Sequence, residues 1–191
     1  MMKNIEHAHA IGAKVMRVVG ASLMFRNEPH APMLEKLTKM FSEAVKVAAS
    51  LDVKLADENH IDFNSDEMLS LITAVNSPWF GINFDTGNFM RVLDDPIKGM
   101  QKLAKYTFST HVKDLKPNRE AAVDDWFFFS STPVGEGLVD NQKLAQLLKD
   151  VGYEGFLAVE IDFLHPDYKA DEDKAVAASI KELRRIANNV R

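Results

Sequence analysis

Three carboxylates and one imidazole recur at the ends of apolar runs. Glu58 closes the run in VKLADEN, Asp85 closes WFGINFD, His111 lies in TFSTHVKD and Glu160 sits near the end of GFLAVEID. The intervals from 58 to 85, 111 and 160 are 27, 26 and 49 residues. Taken singly, each reads as a turn, a cap or a satisfied polar group. Their recurrence at four successive run ends argues for a shared site. Carboxylates brought together repel unless a cation sits among them. Oxygen-rich donors with one imidazole suit a single divalent ion, Mn²⁺, Mg²⁺, Co²⁺ or Zn²⁺, and the carboxylate excess favours the harder ions. Such a centre can grip adjacent oxygens of a hydroxy-carbonyl compound and stabilise charge as a proton leaves carbon. A carboxylate on each side can accept or return that proton.

The elements that must carry these residues alternate between two periodicities. Strands are expected at KVMRVVGAS, VKLADEN, WFGINFD, TFSTHVKD and GFLAVEID, all apolar and mostly rich in β-branched or aromatic residues. Between them lie helical stripes. IEHAHAIGA ends at Gly12, and Leu34, Leu37, Phe41, Ala44, Val45 and Ala48 mark the next helix. SDEMLSLITAV is expected to start on Ser65 as N-cap, and DDPIKGMQKLAKY carries Pro96 in its first turn. DNQKLAQLLKDVGY and DEDKAVAASIKELRRIANNV complete the set, while 115–139 shows little regular pattern beyond the aromatic cluster WFFF. Strand then helix, five times, predicts a parallel sheet with crossover helices, and functional groups on such sheets gather at the carboxyl ends of strands.

Composition narrows the function. The 191 residues are 46% hydrophobic and 27% charged with a net charge of −5, ordinary for a globular protein and unsuited to nucleic acid as a bulk partner. Cysteine is absent, which rules out disulfides and thiolate chemistry and fits a reducing, cytoplasmic setting. No apolar run reaches membrane-spanning length, and the charged N-terminus is not a signal peptide.

In that order, LADENH, INFDTGN, STHVKD, PVGEGLVD and DVGYEGFLAVE resemble the xylose isomerase-like sugar isomerase/epimerase superfamily, which includes ketose 3-epimerases and apurinic endonucleases of the endonuclease IV type. The resemblance runs along essentially the whole chain, and the ordered set carries it rather than any single motif. It implies a (β/α)8 TIM barrel with Glu58, Asp85, His111 and Glu160 as metal ligands. In the epimerase branch Glu58 and Glu160 would also form the acid/base pair, on opposite faces of the substrate. Second-rank candidates for substrate contact surround them. His60 follows Glu58 by two and points to the same side. Asn88 stands where many relatives carry a histidine, and an amide can hydrogen-bond a hydroxyl. Lys113 and Asp114 either hold substrate oxygens or pair with each other at the surface. Glu136 either contacts substrate or fixes its loop, and Arg17 either serves an anionic substrate or forms a structural ion pair. WFFF reads as a lid or a contact for another chain.

Length sets the departure from the family. A complete barrel takes about 250 residues, whereas five strands here correspond by order to the fourth through eighth. The expected fold is therefore a single partial TIM-barrel domain over 1–191, with the first three strands absent and two sheet edges open. A copy of the chain, or a chain bearing the missing strands, is expected to cover those edges. The function expected is a metal-dependent isomerase or epimerase acting on a small sugar or ketose-like substrate through an enediolate. A non-catalytic ligand- or partner-binding remnant is the alternative. A metal-dependent endonuclease ranks last, because the chain lacks a histidine after Asp85 and an Asp-x-His in 115–139, and is acidic.

Overall fold

The structure is a computed structural model and describes residues 1–122 and 124–190. In chain order it forms α1 (Met2–Ala10), β1 (Val15–Val18), α2 (His30–Ser50), β2 (Lys54–Glu58), α3 (Ser65–Val75), β3 (Phe80–Asp85) and α4 (Asn88–Arg91). It continues with α5 (Pro96–Leu103), β4 (Thr107–Val112), β5 (Asp114–Pro117), β6 (Phe129–Thr132), α6 (Asn141–Asp150), β7 (Ala158–Val159) and α7 (Glu172–Asn189). Strands β1, β2, β3, β4 and β7 make one parallel sheet in that order. This is the expected α/β half-barrel, five curled strands of the (β/α)8 type, with β1 and β7 at its two edges.

Alternation along the strands sorts the two faces. Leu55, Phe80, Ile82 and Phe84 turn to the helical layer, where they join Leu37, Phe41 and Ala44 of α2, Met68 and Leu71 of α3, and Met100 and Leu103 of α5 in the main core. The Phe41 and Phe80 rings sit 4.4 Å apart. A smaller cluster of Val112, Val134, Ala145, Leu183 and Ile186 seats α6 and α7 at the other end. The opposite face of the sheet is polar. Ser109 donates to Asn83 Oδ1 at 2.6 Å, and Arg17 bonds Glu58. A register shift between Ile82 and Asn83 brings Asp85 directly opposite His111.

Three expectations need correction. Asn64, not Ser65, caps α3: its side chain accepts from the amides of Asp66 and Glu67, and Glu67 closes a capping box. The segment 115–139 is not patternless. It contains β6, which pairs antiparallel with β5, and its aromatic cluster folds inward, Phe127 stacking on Phe163 at 4.2 Å and the Arg91 guanidinium lying over Trp126 at 5.0 Å. The last strand spans only two residues, Ala158 and Val159, paired with His111 and Val112 of β4.

A candidate metal centre at the strand ends

Glu58 is the last residue of β2, Asp85 the last of β3, His111 lies next to last in β4 and Glu160 follows β7. One donor atom from each lies within 4.8 Å of the others. His111 Nδ1 is 2.9 Å from Glu160 Oε2 and 3.3 Å from Glu58 Oε1. Arg17, reaching from β1, holds the second oxygen of Glu58. Among the described residues, buried Asp85 Oδ2 and Glu160 Oε2 find no well-aligned hydrogen bond and are met by charge alone, Lys113 Nζ at 3.1 and 3.3 Å and, for Glu160, His111 Nδ1 at 2.9 Å. Buried carboxylate oxygens left without donors are costly unless a cation meets them. The donor set therefore fits a divalent ion of the harder class.

Asp85 is both turn residue and candidate ligand. Its Oδ1 accepts from the amides of Gly87 and Asn88, each at 2.9 Å, which leaves Oδ2 facing the cluster. Side chains then extend the sheet's hydrogen bonding past its ladder. Asn59 exchanges two bonds with the Asp85 backbone, at 2.8 and 2.9 Å, and Thr86 Oγ1 bonds both the amide and the carbonyl of Lys113. Asn141 adds a third bond to Lys113 O at 3.1 Å. Sequence reasoning passed over Asn59, Thr86 and Asn141. Their only signal was position, one residue beyond Glu58, one beyond Asp85, and at the start of a helix.

The charges within the cluster shift one another. Burial, reinforced by Glu160 and Glu58, raises Asp85 to about 6 despite Lys113. Burial opposes charge on His111, but the flanking carboxylates of Glu160 and Glu58 outweigh it and push the imidazole up to about 9. Burial likewise works against an ionised Glu160, and His111 with Lys113 overcomes it, holding the carboxyl below its usual range. Because the folded value of His111 lies above its ordinary 6.5, its charge stabilises the metal-free fold fully below 6.5, and that contribution is lost as pH rises through about 9. A metal must displace this proton. Divalent-ion affinity is therefore expected to rise roughly tenfold per pH unit between pH 6 and 8. Calorimetric Mn²⁺ titrations in buffers of different ionisation enthalpy check both the slope and the proton released, and a flat profile would remove His111 from the ligand set.

The second-rank candidates divide. Lys113 is buried rather than at the surface, with Nζ 2.8 Å from Asp162 Oδ2, 3.1 Å from Asp85 Oδ2 and 3.3 Å from Glu160 Oε2. Asn88 is buried beside it, its Oδ1 accepting from Lys113 Nζ and Arg91 Nη1 while its Nδ2 has no acceptor among the described residues. His60 is half-buried, and its Nδ1 is likewise without a partner among the described residues. Arg91 and Asp162, which sequence reasoning missed, complete a partly buried ion-pair network with Lys113.

Asp114 turns the other way. It does not pair with Lys113, which lies between β4 and β5, because Asp114 opens the β5–β6 ribbon and is turned to the loop that follows that ribbon. Its two oxygens take the amides of Leu115, Gly135, Gly137 and Val139 at 2.9 to 3.0 Å, pinning the loop over α6. Gly137 is required there, since a Cβ would lie 2.2 Å from Asp114 Oδ1. Glu136 stays exposed and accepts from Tyr168 Oη at 2.9 Å. Neither carboxylate joins the cluster. Asp114→Ala is expected to cost at least about 3 kcal/mol, since several buried amides lose a charged acceptor. At this chain length that lowers Tm by roughly 6–12 °C. A melt within about 2 °C of wild type would show that water replaces the carboxylate at no cost.

Comparison with known proteins agrees with this architecture. The family model described as Xylose isomerase-like TIM barrel matches residues 1–186. L-ribulose-5-phosphate 3-epimerase UlaE of Escherichia coli O139:H28 is 28% identical over 164 residues, covering 84% of this chain but 54% of the epimerase, so the chain spans about half the length of that relative. Among solved structures, a xylose isomerase domain protein from Planctomyces limnophilus superposes with a TM-score of 0.78 at 23% identity, over 99% of this chain and 63% of that one. The IOLI protein, solved with a zinc atom bound, gives 0.77 at 17% identity, over 100% and 68%. Both likenesses speak to the fold.

Proposed function

Because the chain belongs to the xylose isomerase-like TIM-barrel family, we propose that it serves as a metal-dependent isomerase or epimerase of a small sugar or ketose-like substrate, moving a proton through an enediolate. The observation that carries this reading is the convergence of Glu58, Asp85, His111 and Glu160 on one point, with one donor atom from each within 4.8 Å of the others. The 28% identity to an L-ribulose-5-phosphate 3-epimerase supports it. A divalent ion held by these four side chains supplies positive charge for the oxygens of a hydroxy-carbonyl unit.

The chain's own residues do the proton work. Glu58 and Glu160 come from the second and fifth strands of the sheet, so their carboxylates approach the centre from separated positions. One takes a proton from carbon on its side of the substrate, and the other returns one from the opposite side. Arg17 bonds Glu58 and, with His111, outweighs the burial that would raise its pKa, so Glu58 stays an ionised base. His60 Nδ1 and Asn88 Nδ2, both without partners among the described residues, would hold substrate hydroxyls in this reading. The open edges β1 and β7 favour a second reading, a non-catalytic remnant that binds the ligand alone. Deuterium exchange into ketoses, followed by NMR on protein loaded with Mn²⁺, Mg²⁺, Co²⁺ or Zn²⁺, separates the two. Metal-dependent loss of a C–H signal next to the carbonyl is expected, and ligand binding without exchange would leave the remnant.

A further inference from the structure

We propose that Lys113 is a resident counter-cation of the centre, that it competes with a divalent ion for Asp85 and Glu160, and that Asp162 sets how strongly it competes. The inference rests on the metal-centre reading above. Lys113 Nζ touches two of the four candidate ligands, Asp85 Oδ2 at 3.1 Å and Glu160 Oε2 at 3.3 Å. It is buried, so its charge is held by these carboxylates rather than by water. An ion binding the same oxygens would face a fixed positive charge a few ångströms away, with little solvent to screen it.

Asp162 draws the ammonium the other way. It lies two residues beyond Glu160 and accepts from Lys113 Nζ at 2.8 Å, closer than either candidate ligand. Its position is fixed by both terminal nitrogens of Arg91 and by Ser131 Oγ at 2.7 Å, and Arg91 in turn lies over Trp126. Four carboxylates, Glu58, Asp85, Glu160 and Asp162, thus meet three fixed cations, Arg17, Arg91 and Lys113, which leaves a single negative charge when His111 is neutral, as a ligand must be. A centre so nearly balanced by its own side chains holds a divalent ion exchangeably. Lys113 is a positioning residue here, acting on the ligands and not on substrate.

The test is the sign of two opposed changes in affinity. Calorimetry with Mn²⁺ and with Zn²⁺ is run on wild-type protein and on Lys113→Met, Lys113→Arg and Asp162→Asn, each with its metal-free melt recorded. Lys113→Met is expected to tighten binding about tenfold or more by removing the competitor. Asp162→Asn, which keeps the shape but releases the ammonium onto Asp85 and Glu160, is expected to weaken it about tenfold. Lys113→Arg keeps the charge and should stay near wild type. A network that merely braces the fold would weaken binding in Lys113→Met and Asp162→Asn alike, and that result overturns the proposal. If Lys113→Met does not fold, Lys113→Gln, which also removes the charge but can hydrogen-bond the carboxylates, takes its place: tighter binding supports the proposal, and unchanged or weaker binding overturns it. Wild-type protein that binds neither ion overturns the metal centre and this inference together, whereas normal wild-type binding with shifts of the wrong sign overturns the inference alone.

Discussion

Glu160→Gln and Glu58→Gln are each expected to slow solvent proton exchange on a ketose by about 10²- to 10⁴-fold, the range that one positioned acid or base supplies. Glutamine keeps the length and one carbonyl oxygen, so it can still approach a cation, but it cannot take a proton at neutral pH. The two variants differ in side effects. Glu58 is buried and pairs with Arg17, so its loss strands a guanidinium and is expected to lower stability as well as rate. Glu160 is half-buried beyond a two-residue edge strand, but its carboxylate faces His111 and Lys113, so its amide variant is also expected to lower stability, by less than the Glu58 variant does. Asn88→Ala should cost only about tenfold, by loss of a hydrogen bond to substrate. Exchange rates at saturating metal, with metal affinity measured in parallel, separate lost proton transfer from lost ion. Rates within tenfold of wild type in both glutamine variants would remove the two-glutamate mechanism.

The cluster was legible in the sequence for a physical reason. Apolar residues dominate buried parallel strands, so a carboxylate at their carboxyl end interrupts a pattern and stands out, as Glu58 and Asp85 do. The residues that brace it do not stand out. Asp162 reads as an ordinary turn residue and Arg91 as a helical surface residue. Only the fold shows that residues 71 apart meet in a bidentate pair. Lys113 and Asp114 looked like one surface pair because the sequence does not show that the chain leaves one sheet at Val112 and enters another at Asp114. The β5–β6 ribbon was hidden because its second strand begins on the last residue of WFFF, an unbroken aromatic run without period-2 alternation, and its first ends at Pro117. The shift of the α3 cap from Ser65 to Asn64 is the one-residue ambiguity left when two good capping residues adjoin.

The chain is also expected not to persist as an isolated monomer at micromolar concentration. β1 and β7 each have one strand neighbour, so both present unpaired backbone donors and acceptors. The surfaces beside them are apolar. Next to β7, Phe156 is 90% exposed at the mouth of a groove of about 660 Å³ lined by Leu157, Val159, Val176, Ile180 and Leu183. At the β1 end Ile11 is 84% exposed. A few hundred Å² of apolar area left in water costs several kcal/mol at ~25 cal/mol per Å², comparable to the ~5–15 kcal/mol that holds a whole domain folded. The polar face of the sheet, with Arg17, Asn83 and Ser109, is also one that parallel sheets normally keep covered. Pairing with a second copy, or with a chain that carries three further βα units, removes these costs together. Sedimentation velocity should therefore show a species larger than the 21.4 kDa monomer. Phe156→Glu should shift it toward monomer with a lower melting temperature, since the charge blocks the contact without filling the groove. A compact monomer that melts cooperatively at the wild-type temperature, with or without that substitution, would mean that the edges are satisfied within one chain.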